Sequence, residues 1–188
     1  MENKWYNPDY DAQYNPQGYC RDFPLVERIA LVDAPARRAN LIDVEFGAHA
    51  ITTDETKTIG TSGMWFCTAL GANVVTADKH ARFMSHMFPQ RSNIRHNIKA
   101  FRDFIETIGK INQLSVHLSS TKSFTAPDWC PMANEYYILD HLDEIMGQKA
   151  RHITLHHSWI LDIDPAGTFH TDKRHKPSII SLEQLKNT

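Results

Sequence analysis

Close cysteine pairs are missing from this chain. Its three cysteines, Cys20, Cys67 and Cys130, stand far apart and form no C-x-x-C, which argues against a disulfide framework and against a thiolate zinc site. No window approaches twenty apolar residues, so no membrane-spanning helix is expected. An excess of basic charge is also absent. The 20 Lys and Arg against 22 Asp and Glu leave a net charge of −2, which excludes the strongly basic surface of a nucleic-acid binder. The one dense basic run, Lys173-Arg174-His175-Lys176, reads as a solvated tail. Beyond Tyr6-Asn7-Pro8 and Tyr14-Asn15-Pro16, two turn signals, no repeat is visible, and a solenoid is not expected. The opening MENKWYNPDYDAQYNPQGYC lacks the basic start and apolar core of a secretory signal. Synthesis in a cytosol is the expectation, with export by a route that reads no cleavable signal left open.

What is present suits one compact domain: 188 residues, of which 41% are hydrophobic. We divide the chain into an N-terminal arm over residues 1–22, a domain over 23–170 and a tail over 171–188. Leu25, Val26, Ile29, Leu31 and Val32 fit a strand or a short helix equally well. In LIDVEFGAHAI, residues 41–51, Ile42, Val44 and Phe46 alternate with Asp43 and Glu45, the period of a half-buried strand. A polar turn follows at Thr52–Thr56. The uncharged run from Trp65 to Val75 is broken by Gly71 and predicts a buried strand, a turn and a second strand. The spacing of Ile94, Ile98, Phe101, Ile105 and Ile108 predicts a helix over 93–108, with Ser92 as N-cap and Gly109 as stop. Leu114, Val116 and Leu118 predict a strand, 119–131 a loop, and 132–146 a second helix stopped at Gly147. Residues 152–164 are β-rich, Asp164–Gly167 forms a hairpin turn, and a short helical turn is expected beyond Pro177. Strands alternating with two amphipathic helices imply a layered α/β or α+β fold.

The stretch with chemical content is 61–89, TSGMWFCTALGANVVTADKHARFMSHMFP. A thiol becomes a nucleophile when it loses its proton, and an imidazole can take that proton and return it to a leaving group. Cys67 and His86 supply those two groups. Gly63, before the cysteine, could allow a turn that offers backbone N–H groups to an oxyanion. Cys67 also sits among Trp65, Phe66, Ala69 and Leu70, which fits an inert core cysteine.

Two phrases carry a family resemblance. Thr61-Ser62-Gly63-Met64-Trp65-Phe66-Cys67 keeps the threonine, first glycine and cysteine of the phrase threonine, any residue, glycine, leucine, glycine, serine, cysteine. Phe83-Met84-Ser85-His86-Met87-Phe88-Pro89 is similar to the phrase G-M-A-H-x-M-L-P. On these the chain resembles the CheD family of chemoreceptor glutamine deamidases and, more distantly, the cytotoxic necrotizing factor-like toxin deamidases. The specific motifs cover 61–89, and the general pattern covers 41–165. The resemblance implies an α+β sandwich, a mostly antiparallel sheet covered by two helices. It implies a cysteine-dependent protein glutamine deamidase with no cofactor and no metal. Cys67 would be the nucleophile, His86 the base and acid, and Thr61 the group that orients the histidine. The partner implied is a protein carrying the target glutamine. Met64-Trp65-Phe66 replaces leucine-glycine-serine, which reshapes the pocket and points to a divergent member, in the style of a bacterial effector or toxin. Trp65 and, from the 119–131 loop, Trp129 are candidate substrate contacts; packing of Trp129 into the core is the alternative.

Other readings compete. His152, His156 and His157 could ligate a metal if helical. Ile153, Thr154 and Leu155 favour a strand, on which His152 and His156 share a face and His157 points away, as surface or channel histidines. A non-catalytic binding module on the same scaffold is a second alternative. A cysteine protease or transglutaminase, using the same acyl-thioenzyme chemistry, is a third.

Overall fold

The structure, a computed structural model, describes residues 40–64, 67–120, 131–147, 152–171 and 178–181. The arm over 1–22, the segment Phe23–Ala34, Trp65, Cys20, Cys130 and Trp129 lie outside the described residues, as does most of the tail.

Ten strands and two helices occur in the described residues: β1 (Leu41–Asp43), β2 (His49–Thr52), β3 (Thr58–Ser62), β4 (Thr68–Val75), β5 (His80–Met87), α1 (Arg91–Thr107), β6 (Gln113–Ser120), α2 (Pro131–Met146), β7 (His152–His157), β8 (Ile160–Ile163), β9 (Phe169–His170) and β10 (Ser178–Ser181). They form two sheets. The large one runs β10-β7-β6-β4-β5-β2 and the small one β1-β3-β8-β9. Only β1–β3 and β6–β7 pair in parallel; every other pairing is antiparallel. Helix α2 makes the crossover that the parallel β6–β7 pair requires. The fold class is α+β: two helices cover one face of a mostly antiparallel sheet, and a second sheet covers the other.

The helix side of the large sheet is an apolar core. Leu70, Ala72 and Val74 of β4, Phe83 of β5, and Val116 and Leu118 of β6 meet Ile94, Ile98, Phe101 and Ile105 of α1 and Ile138 and Leu142 of α2. Apart from Ala72, each such side chain contributes about 1.5–3 kcal/mol through its burial. The other side faces the small sheet. There Cys67, Ala69 and Met84 pack on Ile59, Leu161, Ile163, Val44 and Met64.

Several expectations are corrected. LIDVEFGAHAI is not one strand. Gly47 turns left-handed at φ 76°, the Ala48 N–H donates to the Glu45 carbonyl, and the chain passes from the small sheet to the large one. Gly71 does not break the apolar run, which is the single central strand β4. A Cβ there would lie 3.0 Å from Phe169 and 3.1 Å from Leu161, so the glycine lets the second sheet approach. Helix α1 begins at Arg91, with Gln90 rather than Ser92 as N-cap. The Asn93 side chain accepts from the Phe88 N–H at 2.8 Å, which folds the approach to the helix tightly. Beyond Pro177 the chain forms β10, which is paired with β7, not a helical turn. Its backbone completes the sheet edge next to His152–Leu155. The Asp164–Gly167 turn is present, with the Gly167 N–H on the Asp164 carbonyl at 2.9 Å.

Candidate functional site

Strand alternation decides which side chains meet. His86 of β5 stands opposite Ala69 of β4, so the two share a face. Cys67 lies two residues before Ala69 and packs in the same inter-sheet cluster. Thr61 comes from β3 of the facing sheet, where it pairs with Leu161. The sandwich therefore brings Thr61, Cys67 and His86 into one layer, although no single element holds all three. All are buried: His86 is 0% exposed, and Cys67 and Thr61 are 2% exposed.

The hydrogen bonds fix the imidazole. Thr61 Oγ1 donates its one proton to the Val44 carbonyl at 2.7 Å, an oxygen that can only accept. Its second contact, 2.7 Å to His86 Nδ1, is then a bond in which Nδ1–H donates to the hydroxyl oxygen. That network assigns the neutral ring its proton on Nδ1 and its lone pair on Nε2. The Phe46 ring packs on the imidazole with centroids 4.3 Å apart. The His86 backbone is held on both sides, by the Gly47 N–H on its carbonyl at 2.8 Å and by its own N–H on the Ala48 carbonyl at 3.0 Å.

Gly63 takes the left-handed φ of 78° that a turn there needs, and its own N–H is committed to the Trp159 carbonyl at 3.0 Å; residues 65–66, which lead to the cysteine, lie outside the described residues. The glycine serves the end of β3 and ties it to the β7–β8 corner.

Of the three clustered histidines, the side chains of His152 and His156 are described, and these two are separated. His152 and His156 do share a strand face, yet His152 is exposed and His156 is buried. His156 Nε2 meets His117 Nδ1 at 2.7 Å, and the His117 ring stacks on Phe169 at 3.5 Å. Burial, with His156 beside it, pushes the His117 pKa down to about 3, and burial also lowers that of His156. Both rings are neutral near pH 7, so one donates to the other. Reading the sequence missed His117. Its one signal was the polar set Ser115, His117 and Ser119 between Leu114, Val116 and Leu118, which resembled a solvent face. Among the described residues no three His, Cys, Asp or Glu side chains converge as metal ligands.

Arg82 was missed too. It is fully buried at the rim of the same layer. Its guanidinium donates to the carbonyls of Lys57 at 2.6 Å, Asp164 at 2.8 Å and Asp54. It ties the β2–β3 loop to the β8–β9 turn. A cavity of about 370 Å³ opens elsewhere, between β2 and α1, where His49, Ile51, His96 and Phe104 line it. His49 is paired with Ser85, one residue from His86 along β5, so the cavity lies on the opposite face of the sheet.

No protein-family model and no curated protein sequence matches the chain. No helix among the described residues is long and apolar enough to cross a membrane.

Proposed function

We propose that the protein is a cysteine-dependent hydrolase of side-chain carboxamides, acting on a glutamine of a partner protein. The observation that carries this is the Val44 carbonyl–Thr61–His86 chain. It leaves the Nε2 lone pair of a buried imidazole as a base in the same layer as the Cys67 thiol. In the reaction His86 Nε2 takes the thiol proton and Cys67 Sγ bonds to the carboxamide carbon. The tetrahedral intermediate collapses as the imidazolium gives its proton to the departing nitrogen, which leaves as ammonia. Water then adds to the thioester, with His86 taking its proton. The C–S bond breaks, and the thiolate is reprotonated. Amide and water become a carboxylic acid and ammonia, which exchange a proton to leave carboxylate and ammonium. Thr61 stays a positioning group throughout, since its hydroxyl proton is committed to Val44. The resemblance of 61–67 and 83–89 to the glutamine deamidases supports the choice of substrate, and the style of a bacterial effector goes with it.

The test compares proteomes incubated with wild type and with Cys67→Ser, searching for glutamine-to-glutamate conversion. Conversion by the wild type alone is expected. Its absence from a folded wild type overturns the reading. His86→Ala should abolish conversion, and Thr61→Val should lower the rate by about ten- to hundredfold.

Burial favours one second reading, a closed scaffold that binds without catalysis, because Cys67 is 2% and His86 0% exposed. Rapid alkylation of Cys67 by iodoacetamide at neutral pH would exclude it, and an inert thiol would support it.

A further inference from the structure

The large sheet ends on β2, and the outer side of that strand is a backbone edge. The His86 N–H donates to the Ala48 carbonyl at 3.0 Å. Bonded positions alternate in an antiparallel pair. Ala48, Ala50 and Thr52 therefore turn their N–H and C=O groups to β5, and His49 and Ile51 turn theirs outward. Among the described residues no strand and no other hydrogen bond meets these outward groups. Edges left to solvent are commonly guarded by lysine, proline or a bulge. β2 reads His-Ala-Ile-Thr, has no Lys and no Pro, and carries Ile51 50% exposed.

A cavity adjoins this edge. The side chains of His49 and Ile51 lie on the helix side of the sheet, where they and α1 line the space of about 370 Å³. Ala100 and Phe104 give it apolar walls, and the His96 ring stands 5.4 Å from that of His49. Lys99 and Asp103, which also line it, form an ion pair with each other and leave no net charge there. Two polar atoms of this neighbourhood are buried without a hydrogen-bond partner. They are His49 Nδ1 and, directly opposite on β5, Oγ of the 0% exposed Ser85. Such atoms carry a desolvation cost, which a polar group brought next to them relieves.

We infer that the β2 edge and this cavity together dock an extended segment of a partner protein, which joins the large sheet as a further strand. A row of outward N–H and C=O groups recognises another backbone, so the occupant is an extended polypeptide. The outward groups of His49 and Ile51 hold its main chain. Alternate side chains of the segment fall on the helix side, and one of them enters the cavity. That side chain is uncharged, apolar along its stem and polar at its end, to suit the walls, the neutral ion pair and the two buried polar atoms. The cavity is on the face away from His86, so the edge docks the partner and takes no part in the reaction. That the partner is the hydrolase's substrate rests on the reading of Cys67 and His86; the docking does not.

The test needs no turnover. Full-length Cys67→Ser protein is used to select binders from a displayed library of random linear peptides. Selected peptides should protect the His49 and Ile51 amides, followed one by one by NMR hydrogen exchange. Ile51→Pro removes an outward N–H without touching the β5 ladder, and Ala100→Trp fills the cavity. Each should weaken the selected peptides by about tenfold or more. Should Ile51→Pro fail to fold, Ile51→Lys, a charge at the same edge, decides by the same criterion. The inference is overturned if no peptide is selected, or if those selected bind the folded variants as tightly. It is also overturned if the His49 and Ile51 amides are already protected in the free protein. The edge is then covered, by a second copy where dilution removes the protection and by this chain itself where it does not. The deamidase reading fails separately, on missing glutamate in the comparison of wild type with Cys67→Ser, which leaves peptide binding intact.

Discussion

The two faces of the large sheet are made by the same strands and do different work. On the helix side β4, β5 and β6 present Leu70, Ala72, Phe83, Val116 and Leu118, and the layer is almost purely hydrocarbon. On the other side the neighbouring positions of those strands carry His86, Arg82, His117 and Ser119, all within a sandwich core. Hydrocarbon burial is non-directional and tolerates repacking. A buried polar group has to be matched atom by atom. Hence the helix face supplies stability, whereas the inter-sheet face depends on register, with the Thr61–His86 bond and the His117–His156 bond both crossing between separate strands. A side chain can thus be placed accurately where it would otherwise be costly, which is the condition a reactive pair needs.

The contrast can be broken from either side. The largest effect is expected on the helix face. Phe101 is fully buried and packs on Phe83 with ring centroids 5.2 Å apart. Phe101→Ala should cost about 3–5 kcal/mol in urea unfolding while leaving any Cys67-dependent conversion per folded molecule unchanged. On the inter-sheet face, Arg82→Leu removes the donor shared by the Lys57, Asp164 and Asp54 carbonyls. A loss of about 3 kcal/mol is expected by the same measurement, and Arg82→Lys should recover little, because an ammonium lacks the planar fork.

The smallest effect separates the faces by pH. An unfolded histidine titrates near 6.5, whereas in the fold His117 is held at about 3 and His156 is also lowered. The unfolded chain therefore binds these protons first. Stability from the pair is complete above pH 6.5 and is lost as pH falls towards 3, by on the order of 2 kcal/mol at pH 5. Replacing the pair by His117→Phe with His156→Leu should flatten the slope of urea midpoints between pH 6.5 and 5. Asp54, held low by the Thr56 hydroxyl and amide, acts only below its ordinary 3.8 and leaves that window clear.

The same two faces explain what was legible in the sequence. The stripe on α1 was plain because one side of that helix meets solvent. Strand β6 was plain because Leu114, Val116 and Leu118 alternate with small polar residues. That polar set concealed the second sheet, since Ser115, His117 and Ser119 look the same whether they face water or a polar core. β4 was misread as two strands because both of its faces are buried and alternation vanishes. Thr61, Cys67 and His86 were found through their local phrases. Their closeness depends on packing between sheets, which no local spacing encodes. Phe46 was expected to be half-buried on a strand, and its exposure follows from the Gly47 turn.

The pairing of β3 with β8 has a consequence for synthesis. Thr61 stands opposite Leu161, a partner made a hundred residues later. Cys67, the residue just before β4, and His86 on β5 belong to a local hairpin pair available early. Contacts of long sequence separation form late, because loop closure has to precede them. A nascent chain that has not reached Ile160 holds the thiol and the imidazole, but only the three-residue β1 flanks β3 among the described residues. The synthesis of β8 then acts as a timer, and the layer around the Thr61 hydroxyl closes once that strand has been made.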